Sequence, residues 1–173
     1  ELCEGYFAKA ARLLCRHREA NASGAVKIAY TAMHGVGHPF TREMFARFNL
    51  PPFASTPEQQ EPDPDFPTVA FPNPEEGKGA LALAIATAER AGATVILAND
   101  PDADRLAVAE RGEGGAWRVF TGNELGAILG AWQWEEWRAA NPDGDASQVA
   151  MVASTVSSKM LGAMARAEGF AFH

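Results

Sequence analysis

Thr94-Val95-Ile96-Leu97-Ala98, running directly into Asn99-Asp100-Pro101-Asp102-Ala103-Asp104-Arg105, decides the fold class of this 173-residue chain. The first five residues are almost continuously apolar and of strand length, the pattern of a strand buried on both faces. An acidic loop follows, and Arg105 to Glu110 reads as a second strand that ends in the turn Gly112-Glu113-Gly114-Gly115. Open α/β sheets place their ligands at the carboxyl ends of strands, where this loop lies.

Upstream, an alanine-rich segment from about Pro74 to Gly92 reads as a helix, and the proline- and aspartate-dense stretch from Leu50 to Pro74 reads as a long loop. Its proline spacing is incompatible with regular helix or a central strand. Before it, Ala25 to Tyr30 reads as a strand, Met33-His34-Gly35-Val36-Gly37 as a turn, and Pro39 to Phe48 as a helix. Leu2, Phe7, Ala10, Ala11, Leu14 and Cys15 recur at helical spacing, which predicts a first helix from Leu2 to Glu19. After Trp117-Arg118-Val119-Phe120 the pattern restarts, with a helix to about Ala140, a buried-type strand at Val149 to Ala153 and a helix from Ser157 to Glu168, and a domain boundary is expected near residues 111–118. Alternating strands and helices predict an α/β layer fold. The last segment holds too few elements to close a core of its own. The chain opens on Glu1 rather than Met and stops just after a new apolar run, so it reads as cut at both ends.

The composition is that of a globular protein, with 47% hydrophobic and 21% charged residues. A net charge of −7 argues against a protein that grips nucleic acid by neutralising phosphates with clustered Lys and Arg. It leaves a phosphate ester open as substrate, because local fields around a metal and a few basic groups matter more there. No stretch approaches the roughly 20 apolar residues of a membrane span, and the N-terminus is not a signal peptide. Cys3 and Cys15, with no CxxC and no histidine cluster, predict neither a disulfide framework nor structural zinc, and a cytoplasmic setting is the default.

Asp100, Asp102 and Asp104 alternate over five residues, so a turning loop can bring three carboxylates to one point. Uncompensated, they repel by about 1 kcal/mol per pair in water at 4 Å. A hard divalent ion with oxygen ligands removes that cost, which suits Mg²⁺. Arg105 adds a fork of donors able to hold phosphate. A solvated acidic turn is the bland alternative. An EF-hand is excluded, because Arg105 and Arg111 stand where that loop needs Gly and Glu, and strands flank the loop. A phosphatase with an aspartate nucleophile fits poorly, since Ala103-Asp104-Arg105 stands where that chemistry wants Thr or Val. A non-catalytic α/β module holding a metal or a partner through the loop is the remaining rival.

Asp100-Pro101-Asp102-Ala103-Asp104-Arg105 resembles the metal loop of the α-D-phosphohexomutases, and residues 31–37 resemble a loop of that family's second domain. Residues 62–67, Pro72-Asn73-Pro74-Glu75, Gly122-Asn123-Glu124-Leu125-Gly126 and Ser154-Thr155-Val156-Ser157-Ser158 are similar to the phosphoglucomutase/phosphopentomutase branch. The resemblance implies a mixed sheet with helices on both faces, plus an incomplete second domain of the same type. Residues 1–22 would lead in from a preceding domain, 23–113 would form the second domain and 114–173 part of the third. It implies Asp100, Asp102 and Asp104 as Mg²⁺ ligands and Arg105 as a catalytic residue that contacts the phosphoryl group or orders the loop. It further implies a phosphosugar substrate, a glucose 1,6-bisphosphate-type activator and a phosphoserine on another domain. The family's serine motif is absent from these residues, so they are expected to be inactive alone; neither nucleic acid nor membrane is an expected partner.

Other polar residues have plainer readings. His34 reads as a structural loop histidine, with acid/base catalysis as the alternative, and His38 as a helix-start residue. Lys78 reads as a solvated lysine, and Asp63 and Asp65 as part of a rigid interface loop. Thr121 is a good N-cap, and Ser154-Thr155 is expected to cap the last helix. Trp132, Trp134 and Trp137 read as packing residues.

Overall fold

The computed structural model describes residues 1–74 and 79–173, which divide into two compact units, Glu1–Phe120 and Thr121–His173. Glu75 and Lys78, both named above, lie outside the described residues.

The first unit begins with helix α1 (Leu2–Leu14) and a short α2 (Arg18–Asn21). The single helix expected to Glu19 is interrupted, with Cys15 in an extended conformation. The interruption lets Asn21 Nδ2 donate to Phe48 O at 2.8 Å and the Arg18 guanidinium donate to Arg47 O. Both carbonyls sit at the C-terminal end of helix α3 (Gly37–Arg47), where helices leave acceptors unsatisfied. Strand β1 (Ile28–Thr31) precedes α3, and Ala54–Ser55 forms a short strand β2 inside the proline-rich stretch. Helix α4 (Ala82–Ala91), β3 (Val95–Asn99), β4 (Leu106–Arg111) and β5 (Trp117–Val119) complete the unit.

These strands form one mixed sheet in the order β2-β1-β3-β4-β5, with β1 parallel to β2 and β3, and β4 antiparallel to β3 and β5. Strand alternation divides the faces. Ala29, Ile96, Ala98, Ala107, Ala109 and Trp117 point to the face covered by Leu81, Ala84 and Ala88 of the α4 segment. The short side chains let the helix lie close to the sheet, and each buried methyl adds roughly 25 cal/mol per Å² removed from water. Tyr30 points to the opposite face, where its ring lies 4.9 Å from Phe53, which in turn packs 4.9 Å from Phe45 of α3. Helices therefore cover both faces. The second face is the looser one: Val95 and Leu97 are only half-buried, although the apolar run alone predicts a strand covered on both sides.

Pairing places two short strands at the edges of the sheet. Strand β2 exists despite the prolines because it is an edge strand of two residues, and no proline falls within it. Strand β5 pairs with β4 as the last strand of the first sheet, and the compact unit runs to Phe120.

The second unit contains helix α5 (Gly122–Ala140), strand β6 (Ala150–Met151), helix α6 (Met160–Glu168) and strand β7 (Ala171–Phe172), with β6 and β7 parallel. Thr121 caps α5 in a reciprocal capping box with Glu124, as its position suggests. Ser154 and Thr155 do not cap α6, which begins five residues after Thr155. Ser154 Oγ instead pairs with Ser157 Oγ at 2.8 Å, and Ser158 Oγ accepts from Met160 N at 3.2 Å. Trp134 is buried against Phe170 and stacks on Trp137, whereas Trp132 is exposed.

Candidate functional site

Antiparallel pairing sets Asn99 opposite Leu106, so residues 100–105 are the whole connection between β3 and β4. Within it, Ala103 N donates to Asp100 O at 2.9 Å and Ala103 takes a left-handed φ of 60°. That tight reversal gathers the carboxylates: one oxygen from each of Asp100, Asp102 and Asp104 lies within 4.8 Å of the others. Asp100 is 2% exposed, while Asp102 and Asp104 face solvent.

Arg105 folds back onto Asp100. Its backbone N–H donates to Oδ1 at 3.0 Å, and its Nε and Nη2 donate to Oδ2 at 2.9 Å each. Its Nη1 donates to Asn73 Oδ1 at 3.3 Å, which ties the 71–74 turn to the loop. Burial alone would push the Asp100 carboxyl up, but the hydrogen bonds from Arg105 outweigh it and hold the group below the ordinary aspartate range. Asp104 shifts the other way, raised first by the neighbouring Asp102 charge and then by burial and Asp100. The opposite shifts are the electrostatic signature of carboxylates crowded together with one guanidinium among them.

The donor set suits a hard divalent cation. All three donors are carboxylate oxygens, and one arginine leaves two negative charges uncompensated. Opposite ligands of Mg²⁺ lie about 4.2 Å apart, so a small rotation of exposed Asp102 or Asp104 closes the present spacing. The loop also borders an open pocket of about 500 Å³ with Phe71, Pro72 and Asn73 on its other side. A cavity of about 430 Å³ in the second unit, between α5 and the 151–161 segment, has no carboxylate in its lining and offers no comparable chemistry.

The turn after β1 supports the loop from below. Parallel register sets Thr31 beside Ala98, which brings residues 32–36 alongside the start of the acidic loop. Val36 N donates to Pro101 O at 2.8 Å. Gly35 lies so close that an added Cβ would stand 2.2 Å from Pro101 Cα, so only glycine fits. Met33 and His34 adopt φ of 48° and 62°, unusual for non-glycine residues. Buried hydrogen bonds hold them there: Met33 N donates to Thr31 Oγ1, His34 N to Gln59 O, and His34 Nε2 pairs with Thr68 Oγ1 at 2.8 Å. His34 is thus buried in a structural network.

His38 is also buried, with Nε2 at 2.7 Å from Ser55 Oγ. Asp63 receives Asp65 N and donates its own N–H to His34 O, so this pair shapes the loop and does not join the three-carboxylate cluster. Sequence reasoning missed Asn99 and Tyr30. Tyr30 OH donates to Asn99 Oδ1 at 2.9 Å, and Asn99 Nδ2 donates to Arg105 O at 2.7 Å. The only hint in the sequence is that Asn99 abuts the acidic loop; Tyr30 lies 69 residues away.

A mixed sheet with helices on both faces and a three-carboxylate loop at a strand's carboxyl end defines the class: an α/β domain with a candidate cation site at the ends of its sheet strands. The chain belongs to the phosphoglucomutase/phosphomannomutase family, and residues 4–114 match that family's alpha/beta/alpha domain II. It is 54% identical over 159 residues to the phosphopentomutase of Homo sapiens, covering 91% of this chain and 26% of that protein. It is 46% identical over 173 residues to the glucose 1,6-bisphosphate synthase of Homo sapiens, covering 99% and 28%. The fold is shared with the crystal structure of a phosphoglucomutase/phosphomannomutase family protein from Burkholderia thailandensis, with a TM-score of 0.61 at 20% identity, over 94% of this chain and 32% of that one. The chain thus spans about a quarter of the length of these curated relatives. Among the described residues, no helix is long and apolar enough to cross a membrane.

Proposed function

We propose that this chain carries the metal-binding loop of a phosphosugar mutase, an isomerase that moves phosphoryl between C1 and C6 of a hexose or C1 and C5 of a pentose. The observation that carries the reading is the convergence of Asp100, Asp102 and Asp104 beside an arginine-clamped loop. In this reading residues 23–120 act as the second domain of the parent protein and the following residues begin its third. The phosphoserine that exchanges phosphoryl with the sugar is supplied by sequence outside these residues, in a cytoplasmic enzyme primed by a sugar bisphosphate.

Asp100, Asp102 and Asp104 would hold Mg²⁺. When bound, the ion neutralises charge on phosphoryl oxygens, the main requirement of in-line phosphoryl transfer. Asp100, fixed by three donors of Arg105, acts as the rigid member, and the exposed Asp102 and Asp104 adjust around it. Of the two roles offered for Arg105, ordering the loop is the one its contacts support, because its guanidinium already binds Asp100 and Asn73. Its side chain also lines the pocket shared with Phe71, Pro72 and Asn73, where its positive charge would favour an anionic group.

The test is the full-length parent enzyme, assayed for deoxyribose 1-phosphate and glucose 1-phosphate conversion with Mg²⁺ and a bisphosphate activator. The higher identity to a phosphopentomutase puts the pentose assay first. Asp102→Asn is expected to lower turnover by about a hundredfold or more, the several kcal/mol that a bound metal contributes. Unchanged turnover in that variant would remove the metal assignment.

A further inference from the structure

Three carboxylates within 4.8 Å of one another have to be gathered by something other than the cation they are to bind, or the cation must bear the cost of gathering them. Arg105 does part of this by clamping Asp100, but a clamp is only as precise as the backbone that aims it. The Arg105 carbonyl is held by Asn99 Nδ2 at 2.7 Å. The Asn99 amide is in turn oriented by Tyr30, whose hydroxyl donates to Oδ1 at 2.9 Å and so leaves Nδ2 turned toward Arg105. Tyr30 is 1% exposed and sits in β1, the strand adjacent to β3. Burial pushes its phenol above the usual tyrosine pKa, against a hydrogen bond from Thr41. Gly37 leaves the space: a Cβ there would stand 2.5 Å from the Tyr30 hydroxyl.

We propose that Tyr30 and Asn99 are positioning residues for the three-carboxylate site, a brace from β1 through the end of β3 that sets the Arg105 backbone and thereby the geometry in which Asp100, Asp102 and Asp104 meet a divalent cation. The inference rests on the metal reading above and assigns two residues to it that contact no ligand themselves. The brace acts on affinity for the cation, because it reduces the rearrangement that binding would otherwise require.

The experiment uses the full-length parent enzyme with Mn²⁺ alone as the probe, its free concentration followed by electron paramagnetic resonance. Tyr30→Phe removes one hydroxyl and is the cleaner variant; Gly37→Ala displaces the same hydroxyl, its Cβ also meeting Ala103 Cβ at 3.3 Å and Asn99 Oδ1 at 3.6 Å. Each is expected to weaken Mn²⁺ binding by about three- to tenfold, the worth of one lost hydrogen bond. Thr87→Ala, a buried hydroxyl on α4 that bonds Arg90 and not the loop, is the control and leaves Mn²⁺ binding unchanged. In turnover assays the half-saturating Mn²⁺ concentration rises by the same factor, and activity recovers as Mn²⁺ is raised. A merely destabilised protein would lose activity at every Mn²⁺ concentration with the half-saturating value unmoved, and that result would overturn the proposal. If Asp102→Asn abolishes Mn²⁺ binding while Tyr30→Phe and Gly37→Ala both bind as wild type, the brace fails and the metal site stands. If the wild type and Asp102→Asn bind Mn²⁺ equally, the metal reading falls and takes the brace with it.

Discussion

Buried residues from α4 and from β1, β3, β4 and β5 make one continuous core in Glu1–Phe120, whereas in Thr121–His173 the buried set gathers around Trp134, Ala165 and Phe170. The contrast does not come from the amount of apolar sequence. Helix α5 is 19 residues long and rich in apolar side chains, yet Trp134 is its buried residue and Ile128 and Leu129 stand in solvent. Val152, Val156 and Met160 are exposed as well. What separates the units is the surface each helix is given. Helix α4 lies on strands that present a row of alanines and Ile96, while β6 and β7 pair over two residues each and offer little face. An apolar stripe stabilises only to the extent that something covers it.

Matched truncations put a number on that difference. In the 173-residue chain, Leu81→Ala removes a side chain with 0% exposure and is expected to destabilise the first unit by about 2–5 kcal/mol. Leu129→Ala removes the same atoms from a side chain that is 58% exposed. It should shift stability by less than about 0.5 kcal/mol. Denaturant melts of both variants decide the matter, and equal costs would mean that α5 is covered in solution. A smaller effect sharpens the picture of the second unit. With so little core, its longest helix depends on local terms, chiefly the Thr121–Glu124 capping box. Thr121→Ala should cost about 1 kcal/mol. Circular dichroism should show that loss as fraying of α5, and restoration by Ser would separate capping from packing.

The acidic loop was legible because both of its determinants are local: a run of β-branched and apolar residues that fixes the strand, and carboxylates at a spacing a tight turn can gather. The helices that follow β1 and precede β3 were legible for the same reason. What the sequence hid is long-range. Nothing near Trp117 says that it joins the α4-side core, since that depends on β5 pairing with β4. Nothing near Cys15 says that the first helix breaks so that Arg18 and Asn21 can serve the carbonyls at the end of α3. The left-handed backbone at Met33 and His34 is invisible to residue preference, because non-glycine residues are held there by Gln59 and Thr68 from another loop. The Tyr30–Asn99 brace is hidden likewise, being a contact between strands whose register must be known first.

The smallest predicted effect separates the units by pH. His38 is 7% exposed in the first unit, whereas His173, the histidine of the second, is exposed. Burial lowers the His38 pKa, the nearby Arg42 charge lowers it further, and Glu61 opposes them without reversing the shift. The unfolded chain, with a histidine pKa of about 6.5, therefore binds the proton more readily than the folded one. The contribution of His38 to stability is fully present above that value and is lost as pH falls through it toward the depressed folded value. Titration from pH 7.5 to 5.5 should accordingly lower the unfolding midpoint of the first unit. In a Trp117→Phe background, where the remaining tryptophans all belong to the second unit, tryptophan fluorescence should stay flat. His38→Gln, which cannot take up the proton, should abolish the slope. A slope that survives in this variant would place the titrating group elsewhere, and a parallel slope in the tryptophan signal would mean that the two units unfold as one.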